Sequence, residues 1–457
     1  MPAKNMQESA LLPVARCEEI FAAAVAAGRA SGVRDLEAIV GAGTHALTRF
    51  ANNTIHQNVA DRSAYLSIRA LIDGRTARAS TNRLDPDGIK RVVEQAIAIA
   101  RLQDPDPDLL PLAEPSDYGE PVRYFAKTAA ATPDDRAKAV RGAIGAVEAA
   151  SQTAAGIYST GESVSAILNS NGVSGYYAET TAQFSITSLA KDSSGWAKGT
   201  ACNTADLNPL ELALTAARKA TDSAAPTEIA PGRYTVVLEP SAVLDLVGQL
   251  FGDFSATALR DERSFLTDRI GKKLFGDNIN IYDQVGHPLQ SGMPFDGEGV
   301  PRAHVNLVEN GVVRNVVYCR QAAHLSGAKP TGHGFPLPNE IGEAPMNIVI
   351  AGGETPVKEM IASTKRGILV TRLWYIREVD PYQKIMTGMT RDGTFLIENG
   401  QVVRGLKNFR FNQNLVELLK NVEALSPAVR ASGEETFDMV VPAMKVSDFN
   451  FTEVTRF

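Results

Sequence analysis

Along the first half of the chain, segments whose apolar residues have helical spacing are followed by segments whose apolar and polar residues alternate as in β-strands. Residues 14–30 have apolar positions at helical spacing in an Ala-rich run, which predicts a helix. The segments DLEAIV, ALTRFANNTIHQNV and SAYLSIRALI then alternate apolar and polar residues, which predicts strands broken at Gly-Ala-Gly, Asn-Asn and Asp-Arg. Further helices are predicted at about 87–102, 132–151 and 209–221, with a meander of antiparallel strands between the last two.

A Pro- and Ala-rich segment without periodicity, residues 222–232, predicts the boundary between two domains. We assign residues 1–225 to an N-terminal α+β domain, itself divisible into units of about 1–125 and 126–225, and residues 226–457 to a C-terminal domain. The second domain opens with the strand-like run YTVVL and a helix over 239–256, and it contains two Asn-Gly hairpin signals. The predicted fold class is α+β: an N-terminal antiparallel sheet with flanking helices, then a β-rich, mostly antiparallel C-terminal domain.

Composition and charge exclude several classes of function. The formal net charge is −6 and no cluster of Lys and Arg stands out, so the sequence predicts no nucleic-acid partner. No apolar run approaches the roughly 20 residues that a membrane helix needs, and the N-terminus does not suit a signal peptide. Three widely spaced cysteines are typical of a reducing compartment. We therefore expect a cytoplasmic protein that does not enter a membrane.

The usual catalytic signatures are missing from the sequence. No two of the six histidines are four residues apart, and Cys-x-x-Cys, His-Glu-x-x-His and Gly-x-Ser-x-Gly do not occur. The run Gly41-Ala42-Gly43 imitates a dinucleotide fingerprint, but that fingerprint requires a helix after it. Turn and β-branched residues follow instead, which predicts a strand, a turn and a second strand.

Two stretches have candidate polar residues. In the helix predicted at 239–256, Asp245, Gln249 and Asp253 share one face, and we expect that face to be solvated. In PFDGEGVP, Asp296 and Glu298 suit acid–base work or cation binding, but Asp and Gly are also what a tight turn requires. The residues alone leave both interpretations of this loop open. The apolar stripe of the helix is predicted to be core: Val243, Leu246, Val247, Leu250 and Phe251.

The order of several segments resembles the TldD/PmbA (TldD/TldE) metallopeptidase family. In the first half the likeness lies in RFANNTIHQN and SIRALIDGRTARASTNRLD. In the second half RSFLTDRIGKKLF, INIYDQ, PFDGEGVPR, the Thr331-Gly332 step, RGILVTRLWYI and GTFLIENGQVV follow in the family's order. The resemblance spans nearly the whole chain.

The resemblance implies that this chain lacks the family's zinc site. In the TldD type, the helix after the first strand of the C-terminal domain has the motif H-E-x-x-x-H, and a late cysteine adds a ligand. Here those helix positions are Leu244, Asp245 and Gln249, and no cysteine follows Cys319. Leu cannot ligate zinc, and a neutral amide is a poor ligand beside imidazole. We therefore expect no catalytic residue, no metal ligand and no cofactor in this chain, as in the TldE (PmbA) type.

The resemblance implies that this chain is a proteolytically inactive subunit. It would shape the chamber of a cytosolic complex that acts on unfolded or small peptides, while a TldD-type partner supplies zinc and cuts. The residues expected to contact substrate are Asp245, Gln249, Asp296, Glu298 and Thr331.

Two alternatives stay open. One is a metal-free homodimer that binds peptides or acts as a scaffold, since the isolated chain is also expected to be able to self-associate. The other is an enzyme that uses Asp245, Asp296 and Glu298 without zinc.

Overall fold

A computed structural model describes residues 7–455. The helices are α1 Val14–Ala30, α2 Pro86–Leu102, α3 Ala126–Ala129, α4 Pro133–Ala149, α5 Pro209–Asp222, α6 Pro240–Val247, α7 Ala256–Arg260, α8 Arg320–Ser326, α9 Val357–Ala362 and α10 Leu415–Lys420. Short 3₁₀ turns lie at Thr204–Asp206 and Gly248–Asp253. No helix in the described part of the chain is both long enough and apolar enough to cross a bilayer.

The strands form three sheets, with bounds β1 Asp35–Ala51, β2 Thr54–Ile72, β3 Arg75–Thr81, β4 Thr153–Asn169, β5 Ser174–Leu189, β6 Ser194–Ala201, β7 Gly232–Leu238, β8 Ile281–Asp283, β9 Val305–Glu309, β10 Val312–Val313, β11 Ile348–Ile350, β12 Arg366–Asp380, β13 Ile385–Glu398, β14 Gln401–Gly405, β15 Phe409–Asn414, β16 Val422–Leu425, β17 Val429–Ala431, β18 Met439–Val441 and β19 Met444–Val454.

The N-terminal sheet is antiparallel throughout, in the order β3-β2-β1-β4-β5-β6. One face is covered by helices: α1 and α2 pack over β1 to β4, and α4 and α5 pack over β4 to β6. The helices begin where the sequence offers caps. Thr132 and Asp135 form a reciprocal capping box at α4, and the Asp85 side chain accepts the Gly88 N–H at α2.

The long strands run through glycines that the sequence pattern placed in turns. β1 continues through Gly41–Gly43, and β2 continues through Asp61-Arg62, so the two predicted breaks at these places are wrong. A Cβ on Gly41 would lie 2.3 Å from the Tyr65 ring. The absence of a side chain at Gly41 in β1 therefore leaves room for the ring of Tyr65, its partner on β2. The Asn52-Asn53 turn is confirmed, and both of its residues have positive φ.

The C-terminal domain contains the other two sheets. One has the order β12-β7-β19-β15-β13-β14 with β16 paired to β19, and the other has the order β10-β9-β8-β11-β18-β17. The pairs β7–β12 and β11–β18 are parallel and the remaining pairs are antiparallel. The fold class is therefore the predicted one. Both Asn-Gly hairpins also form, at Asn310-Gly311 and Asn399-Gly400, with positive φ at all four residues.

A stack of alternating cations and aromatic rings joins the two domains. The Arg372 guanidinium lies 4.7 Å from the ring centre of Trp196 in β6 and 5.6 Å from that of Trp374 in β12. The Arg391 guanidinium lies 4.8 Å from the centre of the Trp374 ring. Asp392, which is nearly buried, accepts hydrogen bonds from Arg372 and from Ser194. These contacts tie the edge strand of the N-terminal sheet to the long β12–β13 hairpin.

Replacing Arg372 should destabilise the fold strongly. Arg372→Ala removes the cation that hydrogen-bonds the buried Asp392 carboxylate and leaves only the half-exposed Arg391, whose Nε lies 3.5 Å from Asp392 Oδ2. Breaking a buried pair in this way costs about 3–5 kcal/mol. Urea unfolding followed by tryptophan fluorescence measures the loss, because Trp196 and Trp374 are the two tryptophans of the chain. Arg391→Ala is the matched control, since this side chain is half-exposed and its loss should cost about 1 kcal/mol or less. If both variants lost the same free energy of unfolding, the buried Arg372–Asp392 pair would not be the contact that stabilises this junction.

Candidate functional site

The α6 helix is shorter than the sequence pattern predicted. It begins with Pro240 in the first turn, ends at Val247, and tightens into a 3₁₀ turn over Gly248–Asp253. A Cβ on Gly248 would lie 2.8 Å from the Thr436 side chain, so the loop from β17 to β18 lies against the helix at this glycine. The predicted core stripe is confirmed, because all five of its apolar residues are buried.

Asp245 is an internal anchor rather than a solvated residue. Its side chain has no exposed surface, and Oδ1 accepts the backbone N–H groups of Glu434 and Glu435 at 3.0 and 2.9 Å. Burial raises its pKa to about 6, although those two hydrogen bonds act in the opposite direction. A Cβ on Gly433 would lie 2.0 Å from Oδ1, so the loop depends on glycine to approach the carboxylate.

The prediction of a solvated polar face on this helix is wrong. Asp253 is also buried, and its carboxylate pairs with Lys384 Nζ at 2.5 Å and accepts the Phe265 N–H. Gln249 is partly exposed and donates from Nε2 to the Asp245 carbonyl, one helical turn earlier. The α-helix ends at Val247, so the spacing of four residues does not align Asp245 with Asp253, and the two carboxylates contact different segments of the chain.

Asp296 closes the loop between Pro294 and Pro301. Its Oδ1 accepts the N–H groups of Glu298 and Val300, and its Oδ2 accepts the N–H of Gly334 at 2.7 Å. The carboxylate is buried, and burial raises its pKa. Asp296 therefore has the turn-forming role that was one of the two interpretations of this loop. It also holds a second loop, through the Gly334 N–H.

Glu298 lies between the two domains. Its Oε2 accepts the Arg320 N–H at 2.8 Å, while Oε1 is buried without a hydrogen-bond partner in the described chain. Burial raises its pKa to about 7, and the nearby Asp296 charge acts in the same direction. The Glu298 charge also influences Arg69 of β2, a buried side chain with two unbonded nitrogens.

Thr331 begins a buried chain of polar groups. Its Oγ1 accepts the Tyr318 N–H at 2.8 Å and lies 3.0 Å from His333 Nδ1, while His333 Nε2 lies 3.0 Å from Asp283 Oδ1. Burial acts to raise the pKa of Asp283, but His333, the Asn347 N–H and the Arg302 charge act together in the opposite direction, and the pKa is lowered. The Thr331 hydroxyl is already bonded on both sides to Tyr318, so it is not poised as a nucleophile.

The five predicted site residues therefore fall into two hydrogen-bonded sets. Asp245 and Gln249 belong to the set around residues 433–436, whereas Asp296 and Glu298 link to the 331–334 loop that includes Thr331. Sequence reasoning missed Asp283 and His333, which extend the second set from Thr331, and the buried Arg302, whose charge interacts with those of Asp283 and Asp296. These three come from separate segments of the chain, so no spacing in the sequence could have joined them.

Comparison with family models covers most of the chain. The "PmbA/TldA metallopeptidase" models match as domain 1 over residues 36–100, as the central domain over 110–224 and as the C-terminal domain over 231–453. The chain belongs to the PmbA/TldD family. Within the C-terminal PmbA/TldD domain lie α6, the Pro294–Pro301 loop and the His333 cluster.

Individual relatives agree with the family assignment. The metalloprotease PmbA of Escherichia coli is 24% identical over 406 residues, 84% of this chain and 85% of that protein. A zinc metalloprotease TldD homologue of Saccharolobus solfataricus is 24% identical over 213 residues, 43% of this chain and 44% of that one. The crystal structure of TldE from Thermococcus kodakarensis matches with a TM-score of 0.86 at 23% identity, covering 95% of this chain and all of that one.

Neutralising Asp245 should stabilise the protein above pH 6. Its folded pKa of about 6 exceeds the ordinary 3.8, so stability is highest with the carboxyl protonated and is lost as pH rises from about 4 to 6. Asp245→Asn keeps an acceptor for the loop without the buried charge, so its advantage over the wild type should grow across that window and then level off. Thermal unfolding at a series of pH values measures this difference.

The companion variant Asp245→Ala separates charge from hydrogen bonding. It removes the acceptor of the Glu434 and Glu435 N–H groups, which should cost about 1–3 kcal/mol at pH 4, where the charge no longer matters. An alanine variant as stable as the wild type at pH 4 would show that the loop does not depend on this anchor.

Proposed function

We propose that this chain is the zinc-free, TldE/PmbA-like subunit of a metallopeptidase complex that acts on unfolded or small peptides. A separate TldD-type chain would supply the zinc and cut, while this chain would shape the chamber that admits the peptide. The proposal also places the complex in the cytoplasm, with support from three unpaired cysteines, of which Cys17 and Cys319 are buried.

The observation that carries the proposal is the environment of three side chains, two on α6 and one in the 3₁₀ turn that follows it. Leu244 is fully buried in the C-terminal hydrophobic core, Asp245 holds the 433–436 loop, and Gln249 is bonded to the helix backbone. Zinc requires about four ligands drawn from imidazole, thiolate and carboxylate. Leucine and a neutral amide do not meet that requirement, so these side chains do not fit a zinc centre.

Substrate contact by the predicted residues is the less supported part of the proposal. Among the five, Gln249 and Thr331 are partly exposed, whereas Asp245, Asp296 and Glu298 are buried. A peptide would meet those three carboxylates only after the loops they hold had moved. We therefore propose direct contact for Gln249 and Thr331 and an indirect role, through loop position, for the three acids.

The metal-free enzyme is the weaker alternative. It requires Asp245, Asp296 and Glu298 to converge on one substrate, but their hydrogen bonds run to different loops. Their raised pKa values come first from burial, and buried carboxylates that bond backbone N–H groups have no free path to a reacting proton.

Native mass spectrometry of the tagged chain purified from its own host tests the proposal. We expect a complex with a second, different chain and one zinc ion for that pair. Zinc bound to this chain alone would contradict the proposal, because Leu244, Asp245 and Gln249 would then not mark the loss of the site.

Activity assays on peptides separate the proposal from the metal-free alternative. The isolated chain should cleave nothing, and the purified complex should lose cleavage with a zinc chelator. Asp296→Ala and Glu298→Ala in the isolated chain serve as controls. Cleavage by the isolated wild-type chain that either variant abolished would favour the metal-free enzyme instead.

A further inference from the structure

Tyr375 has a backbone conformation that a bulky side chain rarely adopts. Its φ is 55°, in the left-handed region, and among the non-glycine residues with positive φ in the described chain it is the only aromatic one. β12 forms a bulge at this place, where Tyr375 and Ile376 together lie opposite Gly388 of β13. When the first residue of a bulge is left-handed, it is typically a glycine. Tyr375 therefore strains the backbone at a position that glycine would fill without strain.

The Tyr375 side chain lies at the surface and not in the core. It is 51% exposed, and the Arg377 guanidinium lies 4.3 Å from the ring centre. In the described part of the chain no second ring or cation stacks on it. Packing of the ring within the fold therefore does little to offset the backbone strain. Strain of this kind, held by the surroundings, is often found where a protein binds a ligand.

The loop that covers α6 holds this bulge in place. The Tyr375 N–H donates to Glu435 Oε1 at 2.6 Å, and Arg377 Nη1 lies 3.3 Å from Glu435 Oε2. The Glu435 N–H in turn donates to Asp245 Oδ1 at 2.9 Å. Glu435 thus links the strained residue of β12 to the buried carboxylate of α6.

Tyr375 and Gln249 flank the same four-residue loop, 433–436. Tyr375 is bonded to Glu435 of this loop, while Gly248, the neighbour of Gln249, lies against the side chain of Thr436. Four extended residues span at most about 14 Å, so a short peptide that lies over the loop reaches both ends of it. Gln249 is already one of the two residues for which we propose direct contact with a peptide.

The charged groups of this loop favour an apolar ligand. Arg377 is paired with Glu435, and Glu434 is paired with Lys198 of β6 at 3.2 Å. Each of these charges has an opposite charge beside it, so they give little preference for a charged ligand. An exposed aromatic ring gains most when apolar surface covers it. Folded proteins bury most of their large apolar side chains, whereas unfolded peptides expose them.

We propose that Tyr375 is a specificity-determining residue whose ring packs against a large apolar side chain of an extended, unfolded peptide. The bulge, bonded to Glu435, holds the ring beside the 433–436 loop. The identity of the ligand as a peptide rests on the proposed function.

Peptide binding to the purified complex tests this role. Fluorescence anisotropy measures the Kd of a labelled, unstructured peptide rich in leucine and phenylalanine, with a zinc chelator present so that the peptide is not cut. Tyr375→Gly and Tyr375→Ala should each raise the Kd about tenfold, whereas Tyr375→Phe keeps the ring and should leave it nearly unchanged. A peptide with serine in place of every leucine and phenylalanine should bind the unmodified and Tyr375→Gly complexes equally.

Thermal unfolding separates ligand binding from a structural role. Tyr375→Gly and Tyr375→Ala both remove the ring, but only glycine relieves the positive φ, so the glycine variant should melt about 1–2 °C above the alanine variant. A glycine variant that melted below the alanine variant would show that the bulge is not strained and would overturn the proposal. Tyr382→Ala is the matched control, because it removes a tyrosine that is 59% exposed from the turn of the same hairpin and should leave the Kd unchanged.

The failure of this inference can be told from that of the proposed function. If the complex cleaves peptides but Tyr375→Gly and Tyr382→Ala give the same Kd as the unmodified chain, this inference is wrong and the proposed function stands. If the chain purifies without a partner, the proposed function is wrong, and the same Kd series on the chain alone decides this inference. Weaker binding by Tyr375→Gly would then support it, and absent or equal binding would overturn it.

Discussion

Buried carboxylates that accept backbone N–H groups hold the irregular part of the C-terminal domain together. Six of them do so: Asp245, Asp253, Asp283, Asp296, Glu298 and Glu343. Between residues 284 and 347 the regular elements are two short strands and one short helix, so most backbone groups there have no ladder to join. A buried N–H without a partner costs about 1–3 kcal/mol. The carboxylates meet that requirement where a sheet cannot.

This arrangement also changes how the shifted pKa values should be understood. A carboxyl group with a raised pKa in a family of hydrolases normally suggests a catalytic acid or base. Here the pKa shifts of Asp245 and Glu298 arise first from burial, and Asp245 Oδ1 and Glu298 Oε2 accept backbone N–H groups of neighbouring segments. Such groups affect stability through proton linkage, while catalysis requires an oxygen that reaches the substrate. The hydrogen bonds that Asp245 and Glu298 make in this PmbA/TldD chain are therefore structural ones.

Sequence patterns predicted the elements better than their surroundings. Helices α1, α2, α4 and α5 and both Asn-Gly hairpins follow from periodicity, caps and turn residues, which act locally. The polar face of α6 was misjudged because the 433–436 loop that covers it lies nearly 190 residues later in the chain. The breaks expected at Gly41–Gly43 and Asp61-Arg62 failed because cross-strand pairing overrides local turn preference. The His333 cluster depends on tertiary contacts alone, and short-range spacing has no information about those.

The interior and the edge of the molecule thus differ in how their polar groups are satisfied. In the C-terminal domain, buried side-chain carboxylates are hydrogen-bonded to the backbone of loops. On β2, by contrast, residues 54–65 pair with β1 on one side, and their backbone groups on the other side face no strand of the described chain. Unpaired main-chain groups on a strand favour addition of another strand, whereas committed carboxylates resist recruitment into chemistry.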